Sequence, residues 1–137
     1  MPIELRIVAF AGVLVVVQLL LAGGSRLLAF GPAWGAGPRD SVPGEPPVWS
    51  GRADRACRNV LETFPVFAAV AIAVVVAGVA DATTALGAQI YIIARIAYLP
   101  VYVLGIAYVR SVIWAAALAG IFMVAWPLLA GSAGVVQ

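Results

Sequence analysis

"RADRACRNVLETFPVF", residues 52–67, is the stretch on which the reading of this chain turns. It holds three arginines, two carboxylates and an asparagine, and from Thr63 the chain runs to Ala80 without another charge. An apolar run of that kind has the roughly 20-residue length that a membrane-spanning helix needs. The charges therefore stand at the mouth of a membrane helix. Arg55, Arg58, Asn59 and Glu62 recur at i, i+3, i+4 and i+7, which places them within an arc of about 100° on a helix. Arg52 lies close to the same arc, and Cys57 lies opposite. A polar stripe of this sort cannot face lipid without a heavy penalty; ionisable groups in membrane helices face a bundle interior or a wet cavity and mark function. Glu62 lies about 15 Å along the helix from Arg52, too deep for a short side chain to reach water. Blander readings stand beside this one. Arg52 and Asp54 suit a helix end at the interface, Arg58 suits a side chain that snorkels to headgroups, and Arg55 with Glu62 suits a structural ion pair.

Outward from this stretch, composition extends the membrane reading to the whole chain. It is 64% hydrophobic and 10% charged, against about 25% charged in an ordinary soluble domain. Four segments are long and apolar enough to span, at about residues 5–26, 52–80, 84–108 and 111–130. The expected fold is an all-α, four-transmembrane-helix bundle, one domain over 1–137. The first segment reads as a helix rather than a signal peptide, because Glu4 beside Arg6 leaves no positive n-region. Residues 31–51 form the long loop. Five of the nine prolines and five glycines fall there, and backbone stripped of hydrogen bonds cannot lie in hydrocarbon. Trp34 and Trp49 near its ends suit a plain connector or interfacial anchors. Arg26, Arg39, Arg52, Arg55, Arg58 and Arg110 gather on the loop side, so the positive-inside rule makes the loop cytoplasmic and the termini external. The expected location is an integral, multi-pass position in a membrane.

Several function classes are excluded or disfavoured. The chain has no His, which removes histidine acid–base chemistry. A single cysteine, Cys57, excludes an intrachain disulfide, and no Cys/His cluster points to a metal. A net charge of +2, with no basic stripe interleaved with aromatics, gives no footprint for nucleic acid.

The third span carries a matching face. Tyr91, Arg95, Tyr98 and Tyr102 recur at i, i+4, i+7 and i+11, within about 60° of one another. Counted back from Tyr108, Tyr98 lies about 15 Å deep and Tyr102 about 9 Å deep, level with Glu62 and Asn59. Tyr91 reads as a core aromatic; Arg95 suits either a counter-ion to Glu62 or a ligand contact. Arg110 opens the fourth span, where it suits an interfacial anchor or, beside unpaired helix N–H groups, an anion site. Arginines hold carboxylates bidentately and a glutamate holds an ammonium. Together these groups suit a small zwitterion with excess negative charge, such as a charged peptide.

At these residues the sequence resembles the MAPEG family, the membrane-associated proteins of eicosanoid and glutathione metabolism, in a bacterial-type form. The matching pieces are "RACRNVLETFPVF" at 55–67, "ARIAYLPVY" at 94–102 and "RSVIW" at 110–114. Thr63 stands where some members carry tyrosine. The resemblance implies a four-helix bundle assembled as a homotrimer in the lipid bilayer of a bacterial inner membrane, with glutathione as co-substrate between neighbouring subunits. It implies that Arg55, Asn59 and Glu62 bind glutathione's backbone, with Glu62 near the amino group. Arg95, Tyr98 and Tyr102 would line the pocket, and Arg110 would be the catalytic residue that favours the thiolate. Arg58 and Arg52 are further candidates. The implied activity is a glutathione-dependent transferase or peroxidase acting on a lipophilic small-molecule electrophile. The alternative is a non-enzymatic protein of the same fold whose polar stripe serves assembly or binds a lipid or other anion. A small transporter fits less well, because the fourth span carries no ionisable residue beyond Arg110.

Overall fold

The computed structural model describes residues 1–131. Five helices follow in order: α1 (Ile3–Phe30), α2 (Pro32–Ala36), α3 (Val48–Val76), α4 (Ala82–Leu104) and α5 (Ala107–Gly131). The four long ones are each long and apolar enough to cross a membrane. The chain is therefore an all-α four-helix bundle and an integral, multi-pass membrane protein. The α1 and α5 backbones do not approach one another closely; each packs against both α3 and α4, so they occupy opposite corners of the bundle.

Local chemistry explains where the helices stop, and it moves the expected boundaries. The α1 helix continues to Phe30, beyond the expected 26, until Gly31 takes a positive φ of 86° and its N–H closes on the Leu27 carbonyl at 2.8 Å. Part of the expected loop is helical: Pro32, pre-set in φ and missing only an N–H that a first turn leaves unpaired, opens α2. The α3 helix begins at Val48 rather than 52, because Pro46–Pro47 forces extended backbone and Pro47 then accepts the first bonds from Ser50 and Gly51. The connection from α4 to α5 is as short as expected but falls about four residues earlier, at 105–106. Gly105 adopts the left-handed conformation (φ 78°), and its N–H and that of Ile106 bond Tyr102 and Val101. Arg110 thus sits in the first turn of α5.

In lipid, helices are held by close packing rather than by hydrophobic burial. Gly87 on α4 and Gly120 on α5 show this directly. A Cβ on Gly87 would stand 2.7 Å from the Gly120 carbonyl, and one on Gly120 would stand 2.6 Å from the Gly87 carbonyl. The Phe67 and Tyr91 rings, both fully buried, stack 3.9 Å apart between α3 and α4. Ala11, Ala71, Ala88, Ala117 and Val124 fill the narrow space around them.

The end of the bundle nearest the chain terminus Met1 is tied by polar groups. Asp81 caps α4, accepting from the N–H groups of Thr83 and Thr84, while its own N–H donates to the Thr84 hydroxyl. That hydroxyl lies 2.6 Å from Glu4 on α1. Glu4, which marked the leading end of the first span in the sequence, is 3% exposed and forms a buried strut between α1 and α4. At the loop end, the Ser25 and Ser50 hydroxyls lie 2.6 Å apart and tie α1 to α3.

Candidate functional site

The polar stripe of α3 and the tyrosine face of α4 meet the first turns of α5. Asn59, Tyr98, Tyr102, Arg110, Ser111 and Trp114 line a cleft of about 240 Å³ where these three helices converge. Four residues singled out in the sequence are thus brought together. The Arg110 guanidinium lies 4.8 Å from the centre of the Tyr102 ring, and that of Arg55 lies 6.0 Å from the same ring. Tyr98 and Tyr102 stand 5.4 Å apart with their rings tilted by 57°. The spacing that produces this is simple. Tyr98 and Tyr102 are one turn apart on α4, and the tight Gly105 turn folds Arg110 back over them.

Arg95 stands behind the cleft. It is 1% exposed and is absent from the cleft wall. In the single bundle the i+3 step to Tyr98 carries the tyrosine to the cleft and leaves the arginine under it. One terminal nitrogen, Nη1, donates to Asn59 Oδ1 at 2.7 Å. The guanidinium lies 5.5 Å from the Tyr91 ring centre and 5.4 Å from that of Tyr98. Nε and Nη2 are buried without a hydrogen-bond acceptor. The alternative of an Arg95–Glu62 ion pair is not what forms; Asn59 takes that place.

The remaining stripe residues separate. Arg55 and Glu62 are exposed on the outer face of α3, beside the cleft. Arg58, at the stripe's edge, turns the other way. It donates from Nε and Nη2 to Asp54 Oδ2 at 3.1 and 2.6 Å, and Arg26 reaches the same oxygen at 2.9 Å. The i−4 carboxylate on its own side captures it, so Arg58 lies over a second groove, between α1, α2 and α3, and not at the cleft. Arg52 donates to the Val103 carbonyl at 3.1 Å, one of the unpaired carbonyls at the C-terminus of α4. It is a helix-end tie, which removes it from the cleft as well.

Two cleft residues were not singled out from sequence. Ser111 and Trp114 follow Arg110 at i+1 and i+4, and the i+4 spacing places Trp114 on the arginine's face, which was a readable signal. The cleft therefore offers cations, aromatic faces and one amide, with a carboxylate at its edge. It can bind an organic anion and hold a positive charge near it. Among the described residues there is no cluster of three His, Cys, Asp or Glu able to hold a metal.

Comparison with known proteins bears on the same region. The model of the MAPEG family matches residues 7–130, nearly the whole chain, and the protein belongs to that family. No curated protein and no solved structure gives a significant match to it.

Proposed function

We propose, from its place in the MAPEG family, that the protein is a glutathione-dependent transferase or peroxidase of the membrane. The observation that carries this reading is the convergence of Asn59, Tyr98, Tyr102 and Arg110 on one cleft, with Arg55 beside it. Glutathione carries two carboxylates, one ammonium and a thiol. In this reading Arg55 and Asn59 hold its carboxylate and carbonyl oxygens, Glu62 holds its ammonium, and the tyrosines pack along its backbone. Arg110 lies beside the sulfur. A neighbouring cation lowers a thiol pKa from its usual value of about 8.5, so the thiolate becomes available near neutral pH.

The chemistry then needs no covalent enzyme intermediate. The thiolate gives its electron pair to an electrophilic carbon, a C–S bond forms, and the leaving group departs with its bonding pair and is protonated from water. With a hydroperoxide, the thiolate attacks the distal oxygen and the alcohol leaves with a proton. A second glutathione then resolves the sulfenic acid, giving disulfide and water. The electrophile is lipophilic and arrives from the bilayer, with the cleft opening on the cytoplasmic side.

A second reading is favoured by a different observation. Arg55 and Glu62 are exposed on the outside of the single bundle, and charges there cannot be left to lipid. A neighbouring subunit, in the homotrimer that the family resemblance implies, would cover them. The stripe would then serve assembly or hold an anionic lipid, with no thiol chemistry. Calorimetric titration of glutathione into purified protein, paired with conjugation of a chloronitrobenzene, separates the two. Saturable binding and conjugation support the enzyme; a trimer that binds no glutathione at millimolar concentration supports the second reading.

A further inference from the structure

We propose that Arg95 is a positioning residue that fixes the side-chain amide of Asn59, so that the cleft presents a pair of N–H donors to its ligand. An arginine guanidinium has five donors and no acceptor. Whatever faces it within hydrogen-bond distance must be an oxygen. Arg95 Nη1 lies 2.7 Å from the Asn59 amide, so the oxygen of that amide points inward to Arg95. The NH2 end is then turned away from Arg95, and Asn59 is itself part of the cleft wall. A free asparagine can offer either end to a ligand. This one is held to a single choice by a charge that is itself locked under Tyr98 and against Tyr91.

The consequence is selectivity. A donor pair at Asn59 donates to a carboxylate or peptide carbonyl oxygen of the ligand and rejects an ammonium or an amide N–H at that point. A flipped amide would do the reverse, since a donor set against a donor leaves both unpaired. This also gives a reason for burying an arginine about 13 Å from the loop end of α4 with no carboxylate partner, at 1.5 Å per residue from Leu104. Its burial places the donor out of competition with water, so the amide orientation holds with the cleft wet or occupied. The inference rests on the glutathione reading for the ligand's identity, but not for the orientation itself.

Asn59 is the single asparagine of the chain, so asparagine labelled with 15N in the side chain gives one NH2 signal. In ligand-free wild-type protein in nanodiscs, the expected result is an NH2 pair that a water-soluble paramagnetic chelate relaxes strongly. An NH2 pair shielded from the chelate would mean that the donors point inward, and would overturn the proposal. For function, replacing Arg95 with Met should raise the glutathione Kd about tenfold, the usual cost of one hydrogen bond to a charged group. Arg95→Lys, which keeps a donor, should restore most of that. Asn59→Ala should cost a similar factor, and the Arg95→Met/Asn59→Ala double variant no more than Asn59→Ala alone, because Arg95 acts through Asn59. Effects that multiply in the double variant would overturn the proposal by giving Arg95 an independent role. If wild-type protein binds no glutathione, the functional reading falls, and the orientation is judged by the NH2 signal alone.

Discussion

The two ends of this bundle treat buried polar groups in opposite ways. At the end near Met1, Asp81, Thr84 and Glu4 are tied to one another: each donor has an acceptor, and Thr84 is fully buried. At the loop end, outside the Ser25–Ser50 tie, Arg95 keeps two nitrogens without acceptors, Arg55 and Glu62 are exposed, and Arg110 is half-buried in the cleft wall. Burying a polar group is costly unless it is paired, and more so for a charge. A satisfied cluster closes a bundle, while an unsatisfied one retains capacity for a ligand. Both ends lie on the same α4 helix, yet only one is built as a site.

That contrast can be broken or sharpened by substitution. The largest effect is expected from Arg110→Ala. Conjugation of glutathione should fall about a hundredfold or more, in line with loss of one preorganised group at a developing or resident anion. A variant with wild-type turnover would remove Arg110 from the chemistry. Thr84→Val should behave in the reverse manner. It takes a donor from Glu4 and an acceptor from the Asp81 N–H, and should destabilise the fold by about 2 kcal/mol in thermal unfolding, with glutathione affinity unchanged. A loss of affinity in Thr84→Val would show that the two ends are not separate. Glu62→Ala should weaken glutathione binding about tenfold while leaving the unfolding temperature in place, because Glu62 is exposed and makes no hydrogen bond or ion pair among the described residues. The smallest effect is expected from Arg58→Ala, which breaks only an exposed i,i+4 pair with Asp54. Binding and stability should both match wild type; a marked loss of binding would return Arg58 to the site.

Much of the architecture was legible because a membrane simplifies the reading. Length and hydropathy alone identify four spans, and α1 and α5, apolar nearly all round, need no periodicity to be found. Their ends were less legible, since they are decided by Pro47, Gly31 and Gly105, whose local geometry overrides hydropathy by several residues. For the cleft, helical spacing found Asn59, Tyr98 and Tyr102, and its place at the opening of the fourth span singled out Arg110. It could not sort residues at the margins of a face. Arg58 and Asn59 are consecutive, and an aspartate four residues earlier drew one of them away from the cleft. Nor could spacing show that Arg95 lies under Tyr98 rather than beside it, because depth within a bundle depends on which helix covers the face. The buried pairing of Glu4 was illegible for the same reason: its partner is eighty residues away in sequence.

The most direct test of the account is the ultraviolet absorbance of the glutathione thiolate, followed as glutathione is titrated into the detergent-solubilised protein near neutral pH, with Arg110→Ala measured alongside. The account predicts a saturable thiolate signal in the wild-type protein that is lost in the variant. No thiolate signal in the wild-type protein, or an equal signal in both, would contradict it.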